Sequence, residues 1–460
     1  MPTLPPDPRK AIRDPIHGLV PRSNEEIRLM NTVVFQRLRR IRQLAMAHLV
    51  YPGATHTRFE HCVGTMHVAS LVCERLREFC RLDRGQQRRI RLAALLHDIG
   101  HGPFSHVGDY LFPLYADPAF RSQLTPERPA HELLTMRLVE ENPEIAGILP
   151  QKDQRAIIDL LRSSKTRDFR RDIISSSLDA DKLDYLQRDS YFAGVRYGHF
   201  DFNKVIDSCR VIRDGAQSFL ALDHEGLYAF EQLVLGKYHM SQQVYYHRIR
   251  AITDAMIVRA VTLSLKAEDS VISRLYKRTD SSDFLDFYTS FDDDMLLRQL
   301  CESQHPLVRE LADRLLHRRL LKRICKVRLD SVENAIVRDR LSRLESESAE
   351  SRRLEETIAR EVGGDPGLVI VSKWSVSNPT YRSVGHRLDE QETLILDEYG
   401  VPKTGAAFPD VSFALNKSQK SEESIQVYAP KESWNDLDAD STAERERYRT
   451  LVTGILIDSE

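Results

Sequence analysis

No apolar run in the 460-residue sequence approaches the roughly 20 residues that span a bilayer. This excludes a helical membrane protein. The opening Met1-Pro-Thr-Leu-Pro-Pro lacks the charged-then-apolar pattern of a secretory leader, so a cytoplasmic location is expected. Cysteine is scarce: Cys62, Cys73, Cys80, Cys209, Cys301 and Cys325 form no CxxC pair, which argues against a zinc knuckle or disulfide framework and for reduced packing residues. An excess of one charge is missing too. With 66 Lys and Arg against 68 Asp and Glu the net charge is −2, which excludes a wholly basic nucleic-acid binder and leaves nucleic acid a secondary partner at most.

The chain does carry 41% hydrophobic and 29% charged residues, the balance of a folded protein, over a length that predicts two or three structural units. Apolar residues recur at helical spacing over 24–46, 62–80 and 88–98, with Arg37, Arg39, Arg40 and Arg42 on the other faces of the first stretch. The breaker-rich segment 113–130 predicts a mobile loop before a helix starting near His131. Further helices are predicted at 151–162, 179–190, 227–266 and 306–328. The basic stretch from His317 to Arg328 reads as a solvated helix face, an effector-phosphate site, a subunit interface or a single-strand contact. Beyond about residue 330 a Glu/Arg/Ser-rich helical stretch leads to β-branched runs at Leu368, Glu392 and Ile425, a strand signature. The reading is mainly α: a helical body over 1–328 and a smaller C-terminal α+β lobe over 329–460.

An apolar helix running into Leu-Ala-Ala-Leu-Leu-His97-Asp98-Ile-Gly100-His101-Gly102-Pro103 should stop there and leave its last polar side chains at a pocket mouth. A lone His-Asp pair means little, and a lone His61 is more often a core histidine. Their company changes this: five of the 16 histidines fall between His61 and His106, His131-Glu132 opens the next helix, and Asp179-Ala-Asp181-Lys182-Leu-Asp184-Tyr185 follows. Imidazoles and carboxylates together form a mixed N/O set that suits Mn²⁺, Fe²⁺, Zn²⁺ or Ni²⁺, whereas Mg²⁺ usually prefers oxygen. His101 lies one turn after His97. Asp181, Tyr185 and Asp189 fall on one helical stripe. Arg58, His106, Lys182, Lys237 and Arg248 are candidate phosphate clamps, with Tyr245 under a sugar.

Arg13-Asp-Pro-Ile-His-Gly18, Phe35-Gln-Arg-Leu-Arg39, Arg42-Gln-Leu44, Pro52-Gly-Ala-Thr-His56, Arg58-Phe-Glu-His-Cys-Val-Gly64, His97-Asp-Ile-Gly-His-Gly-Pro-Phe-Ser-His106 and Asp179-Ala-Asp-Lys-Leu-Asp-Tyr185 carry a resemblance. Over roughly 11–260 the sequence resembles the HD superfamily, in the branch of the SAM-and-HD-domain deoxynucleoside triphosphate triphosphohydrolases and their bacterial relatives. The resemblance implies a divalent metal held by His61, His97, Asp98 and Asp181. It also implies His101, Asp109 and His131 beside the metal, His131 being the proton donor oriented by Asp109, with Glu132 a neighbour or simply a first-turn helix acid. Tyr185 and Asp189 would meet the sugar. Gln43 and Leu44 would disfavour a 2′-hydroxyl, although Leu44 also reads as a core residue.

The resemblance further implies a homo-oligomer, dimer or tetramer, activated by nucleotides at Asn31, Gln36 and Arg39. The family's acidic guanine reader is replaced here by Asn31, which puts guanine activation in doubt. The expected activity is cleavage of a deoxynucleoside triphosphate to deoxynucleoside and tripolyphosphate. Its rivals are a phosphodiesterase or nuclease acting on single strands, and a nucleotide-sensing oligomer with little catalysis.

Overall fold

The computed structural model describes residues 6–125, 128–162, 166–362, 364–376, 393–404, 422–430 and 442–458. The chain is mainly helical and divides into two compact units. The first comprises 1–245, 276–294 and 379–418; the second comprises 246–275, 295–378 and 419–460. The second unit thus takes up 246–275 and 295–328 together with residues beyond 328. No helix among the described residues is long and apolar enough to cross a membrane.

At the centre of the first unit lies the helix Arg58–Leu76, buried on almost every face and packed against the helices Arg84–Leu96 and Ala180–Ala193. Each start is specified locally. The backbone N–H of Thr57 donates to Glu60 at 2.8 Å, Asp83 and Gln86 exchange capping bonds of 3.0 and 2.9 Å, and Asp179 accepts from the Lys182 N–H at 2.7 Å. Gly194, at φ 70°, closes the third helix in the left-handed conformation. An antiparallel hairpin, Asp7–Asp14 with Gly18–Arg22, precedes them. A sheet in the order Cys209–Asp214, Gln217–Leu222, Leu394–Leu396, Pro402–Thr404 lies later in the unit, its middle pair parallel.

In the second unit the helix Arg248–Lys266 packs on Pro306–Leu316. A three-stranded antiparallel sheet, ordered Lys322–Arg328, Glu422–Ala429, Ile370–Val376, shares a core with the helices Ala349–Val362 and Thr442–Asp458 through Cys325, Val327, Ile358, Val371, Ile425, Val427, Val452 and Leu456.

Several sequence expectations are corrected. Residues 24–46 form the helix Asn24–Met30 followed by short turns, and Arg37 is fully buried where a solvated face was expected. The segment 113–130 holds the end of the helix Val107–Tyr115 and the turn Pro118–Arg121, while Pro126 lies outside the described residues. The helix expected over 227–266 is broken by a wide turn at Ser241–Tyr245. The helix expected over 306–328 ends at Leu316, and Lys322–Arg328 is a strand with Cys325 and Val327 turned into the core. Branched Ile324 and Val327 and the alternation of apolar and basic residues favour the two-residue period.

Candidate active site

His61 projects from the first turn of the central helix, and His97 caps the end of Arg84–Leu96. Asp98 follows as the chain turns, and Asp181 sits in the first turn of Ala180–Ala193. The structure brings all four together. His61 Nε2 lies 2.9 Å from Asp181 Oδ1 and 3.6 Å from Asp98 Oδ2; His97 Nε2 lies 3.4 Å from Asp98 Oδ1 and 3.6 Å from Asp181 Oδ1.

Both Nε2 atoms are buried and, apart from the carboxylates they face, meet no hydrogen-bond partner, an arrangement that normally costs free energy. Two unsatisfied imidazole nitrogens facing two carboxylates fit a divalent cation of intermediate softness. The acceptor end of each ring is preset, because the Nδ1 atoms are already engaged: His97 with the Ala94 carbonyl at 2.8 Å and His61 with Asp184 at 2.8 Å. Burial alone would lower the pKa of His61, but the carboxylates of Asp181 and Asp184 raise it to about 10. Burial would raise Asp98, and Arg58 holds it well below the ordinary carboxylate range.

The turn that carries His97 and Asp98 is fastened from three directions. Thr135 Oγ1 donates to the His97 carbonyl at 2.9 Å and accepts from the Gly100 N–H at 3.0 Å. Gly100 is needed there, since a Cβ would overlap the backbone of His131 and Thr135. Buried Arg37 donates to the carbonyls of Ile99 and His101 at 2.9 and 2.7 Å, and the Tyr288 hydroxyl to Gly100 at 2.8 Å. Phe104 and Ser105 both take φ 57°, in the left-handed region, with Asp293 accepting from the Phe104 N–H at 2.6 Å.

This turn delivers His101 and His106 toward His131. The rings of His101 and His131 stack with centroids 3.9 Å apart, and His101 Nε2 lies 3.4 Å from Asp98 Oδ1. Asp109 gathers the second group: His131 Nδ1 lies 2.8 Å from its Oδ2, His106 Nδ1 3.1 Å, and the His131 N–H donates to its Oδ1 at 3.2 Å. Burial lowers the pKa of His131, but Asp109 outweighs it and the net shift is upward. His101 is driven well below its ordinary value by burial, Arg58 and His131. Burial also raises Glu132, which stands beside His131 at the start of Ala130–Glu141.

Asp189, Tyr185 and Tyr245 form the next wall. The Tyr245 hydroxyl donates to Asp189 Oδ2 at 2.8 Å, and the two tyrosine rings meet edge to face at 6.0 Å. Asp189 Oδ1 is held 2.7 Å from His56 Nε2, a buried ring stacked on Phe192. Gln43 is buried with its Oε1 unsatisfied, and Leu44 is a core residue. Lys182 pairs with Asp179 at 2.6 Å, and burial beside Lys182 pushes Lys237 down to about 8. The guanidinium of Arg58 bonds Asp98 and, at 3.1 Å, Ser105.

The remaining expected residues lie on other elements. Arg248 is exposed at the start of a helix of the second unit. Asn31, Gln36 and Arg39 lie along the Asn24–Arg40 segment, where Gln36 accepts from Arg39 at 3.0 Å and the Arg39 guanidinium covers the Phe59 ring at 3.5 Å. Sequence reasoning gave no role to Arg37, His56, Thr135, Asp184, Tyr288 or Asp293. His56 and Asp184 lie inside motifs quoted above, a signal that was available; Tyr288 and Asp293 lie in none of them.

The HD domain family matches residues 58–189 and the HD associated region residues 200–445. The chain is 28% identical over 440 residues to an uncharacterized protein of Methanocaldococcus jannaschii, covering 95% of this chain and 82% of that one. It is 30% identical over 262 residues to an uncharacterized protein of Bacillus subtilis (56% of this chain, 57% of that one). It is 29% identical over 352 residues to the deoxynucleoside triphosphate triphosphohydrolase SAMHD1 of Homo sapiens (69% and 55%), so it spans little more than half the length of the last two. A solved hypothetical protein of Aquifex aeolicus shares the fold at TM-score 0.67 and 25% identity, over 96% of this chain and 99% of that one. A phosphohydrolase from Bacteroides thetaiotaomicron does so at TM-score 0.70 and 23% identity, over 92% and 100%. With both family regions present in order and the His/Asp groups able to hold a metal, the chain belongs to the HD-domain phosphohydrolases that carry an HD associated region.

Proposed function

We propose that this protein is a metal-dependent deoxynucleoside triphosphate triphosphohydrolase. The observation that carries the reading is the juxtaposition of the unsatisfied His61 and His97 Nε2 atoms with an Asp109-polarised His131, linked through Asp98 and His101. The similarity to SAMHD1, named for this activity, supports the nucleotide substrate.

His61, His97, Asp98 and Asp181 would hold the cation, whose chemistry when bound is to polarise a phosphoryl oxygen and acidify water. Lys182, Lys237 and His106 meet the phosphates. Burial, with Lys182 nearby, depresses the Lys237 ammonium, which a bound anion would relieve. Arg58 keeps Asp98 ionised and aimed. Tyr185 and Tyr245 flank the sugar, Asp189 accepts from its 3′-hydroxyl, and Gln43 approaches C2′. Water attacks the α-phosphorus, the bond from phosphorus to O5′ breaks, and His131, its Nδ1 engaged by Asp109, delivers a proton from Nε2 to O5′. Deoxynucleoside and tripolyphosphate leave.

Asn31, Gln36 and Arg39 are proposed as part of a nucleotide effector site of a homo-oligomer, dimer or tetramer. The C-terminal residues, 329–460, are proposed as the regulatory and assembly part. Phosphorus NMR of metal-loaded protein with each deoxynucleoside triphosphate, with the four mixed, and with ribonucleotide controls tests the reading. Tripolyphosphate from deoxynucleotides is expected; its absence under every metal, together with shortening of single-stranded DNA, would replace this function with a nuclease.

A further inference from the structure

Asp184 is fully buried three residues beyond Asp181, and each of its oxygens is engaged twice. Its Oδ2 lies 2.8 Å from His61 Nδ1 and its Oδ1 2.7 Å from His17 Nε2. Arg188, one turn later, donates from Nε to Oδ2 and from Nη2 to Oδ1, each at 2.8 Å, in the forked geometry that suits a carboxylate. The third guanidinium nitrogen donates to Asp14 Oδ2 at 2.9 Å, and Asp14 Oδ1 accepts from the Ile16 and His17 N–H groups at 2.9 Å. The N-terminal hairpin is thereby tied to His61. Gly64 leaves room for the cluster, because a Cβ there would fall inside the Asp184 carboxylate and against Arg188.

The two candidate imidazole ligands thus differ behind the ring. His97 Nδ1 meets a neutral backbone carbonyl and His61 Nδ1 a full carboxylate. A carboxylate accepting from Nδ1–H fixes the tautomer and orientation and makes Nε2 the stronger donor to a cation. We infer that Asp184 is a positioning residue for the metal: through its hydrogen bond to His61 Nδ1 it sets the site's affinity, while Arg188, His17 and Asp14 hold Asp184 in place. This rests on the metal-centre part of the function proposed above and on no feature of the substrate.

The test measures Co²⁺ binding and the visible spectrum of the Co²⁺-loaded full chain, with no nucleotide present. Asp184→Asn is expected to weaken Co²⁺ binding by roughly 10- to 100-fold and to shift the d–d bands. Because that variant strands a buried guanidinium, itself enough to destabilise the fold, Asp184→Asn with Arg188→Met removes both partners of the pair. The double variant is expected to keep its circular dichroism and the weakened binding. Arg188→Met alone keeps the Asp184 to His61 bond but loosens the carboxylate, and is expected to weaken Co²⁺ binding clearly less than the double variant does. Parent-like affinity and spectrum in the double variant overturn the inference, and so does an equal loss in Arg188→Met. Failure to hydrolyse nucleotides with these metal results intact would sink the proposed activity and leave Asp184 where it is.

Discussion

Two histidine clusters lie side by side, and they are finished differently. His61 and His97 end on buried Nε2 atoms that, apart from the carboxylates they face, meet no hydrogen-bond partner, each ring fixed from behind. His106 and His131 instead share one carboxylate, Asp109, through their Nδ1 atoms, and His106 is half exposed. The first arrangement suits holding a cation and the second suits moving a proton. What separates the two is the partner of each ring nitrogen, since the residue types are the same.

The largest expected effect comes from taking a carboxylate from the first cluster. Asp98→Ala should leave substoichiometric metal by elemental analysis and lower hydrolysis by about 10³-fold or more, the worth of several kcal/mol of charge stabilisation. Normal metal content in that variant would erase the distinction between the clusters. His131→Ala should retain the metal and still lose about 10²- to 10⁴-fold in kcat, with nucleotide binding preserved. Full turnover would remove His131 from the chemistry.

Asp109→Asn sharpens the comparison through pH. Asp109 raises the His131 pKa against the opposing effect of burial, so its removal lowers that pKa. A protonated donor is lost as pH rises through its pKa, so the fall in kcat on the alkaline side should move to lower pH in the variant. An unmoved profile would assign that limb to another group. The smallest effect belongs to the frame shared by both clusters: Thr135→Val removes the hydroxyl that bridges His97 and Gly100 and should cost about 1–3 kcal/mol in denaturant unfolding.

The central helices, the stop at His97, the C-terminal strands and the residues of both clusters were legible, because helical period, capping residues and motif order are local. What holds them was not. His17 meets Asp184 across 167 residues, and Arg37 reaches Phe291 across 254, so no window of sequence contains either pair. Arg37 reads as a solvated arginine because burial of a guanidinium is decided by distant carbonyls. The stretch 317–328 reads at helical period as a whole, whereas only Lys322–Arg328 carries the two-residue alternation, and pairing with Glu422–Ala429 fixes it as a strand.

The anchoring of Gly100 and Phe104 by Tyr288 and Asp293 also bears on the timing of biosynthesis. At about 5–20 residues per second, translation needs roughly 5–20 seconds after Asp181, the last candidate metal ligand, to reach these anchors. A ribosome-stalled chain ending at residue 280 would present all four ligands on a turn still held by Thr135 and Arg37 but lacking Tyr288 and Asp293. Such nascent chains are expected to bind Co²⁺ more weakly than chains stalled well past residue 294, which would make metal loading a late event in the life of the polypeptide.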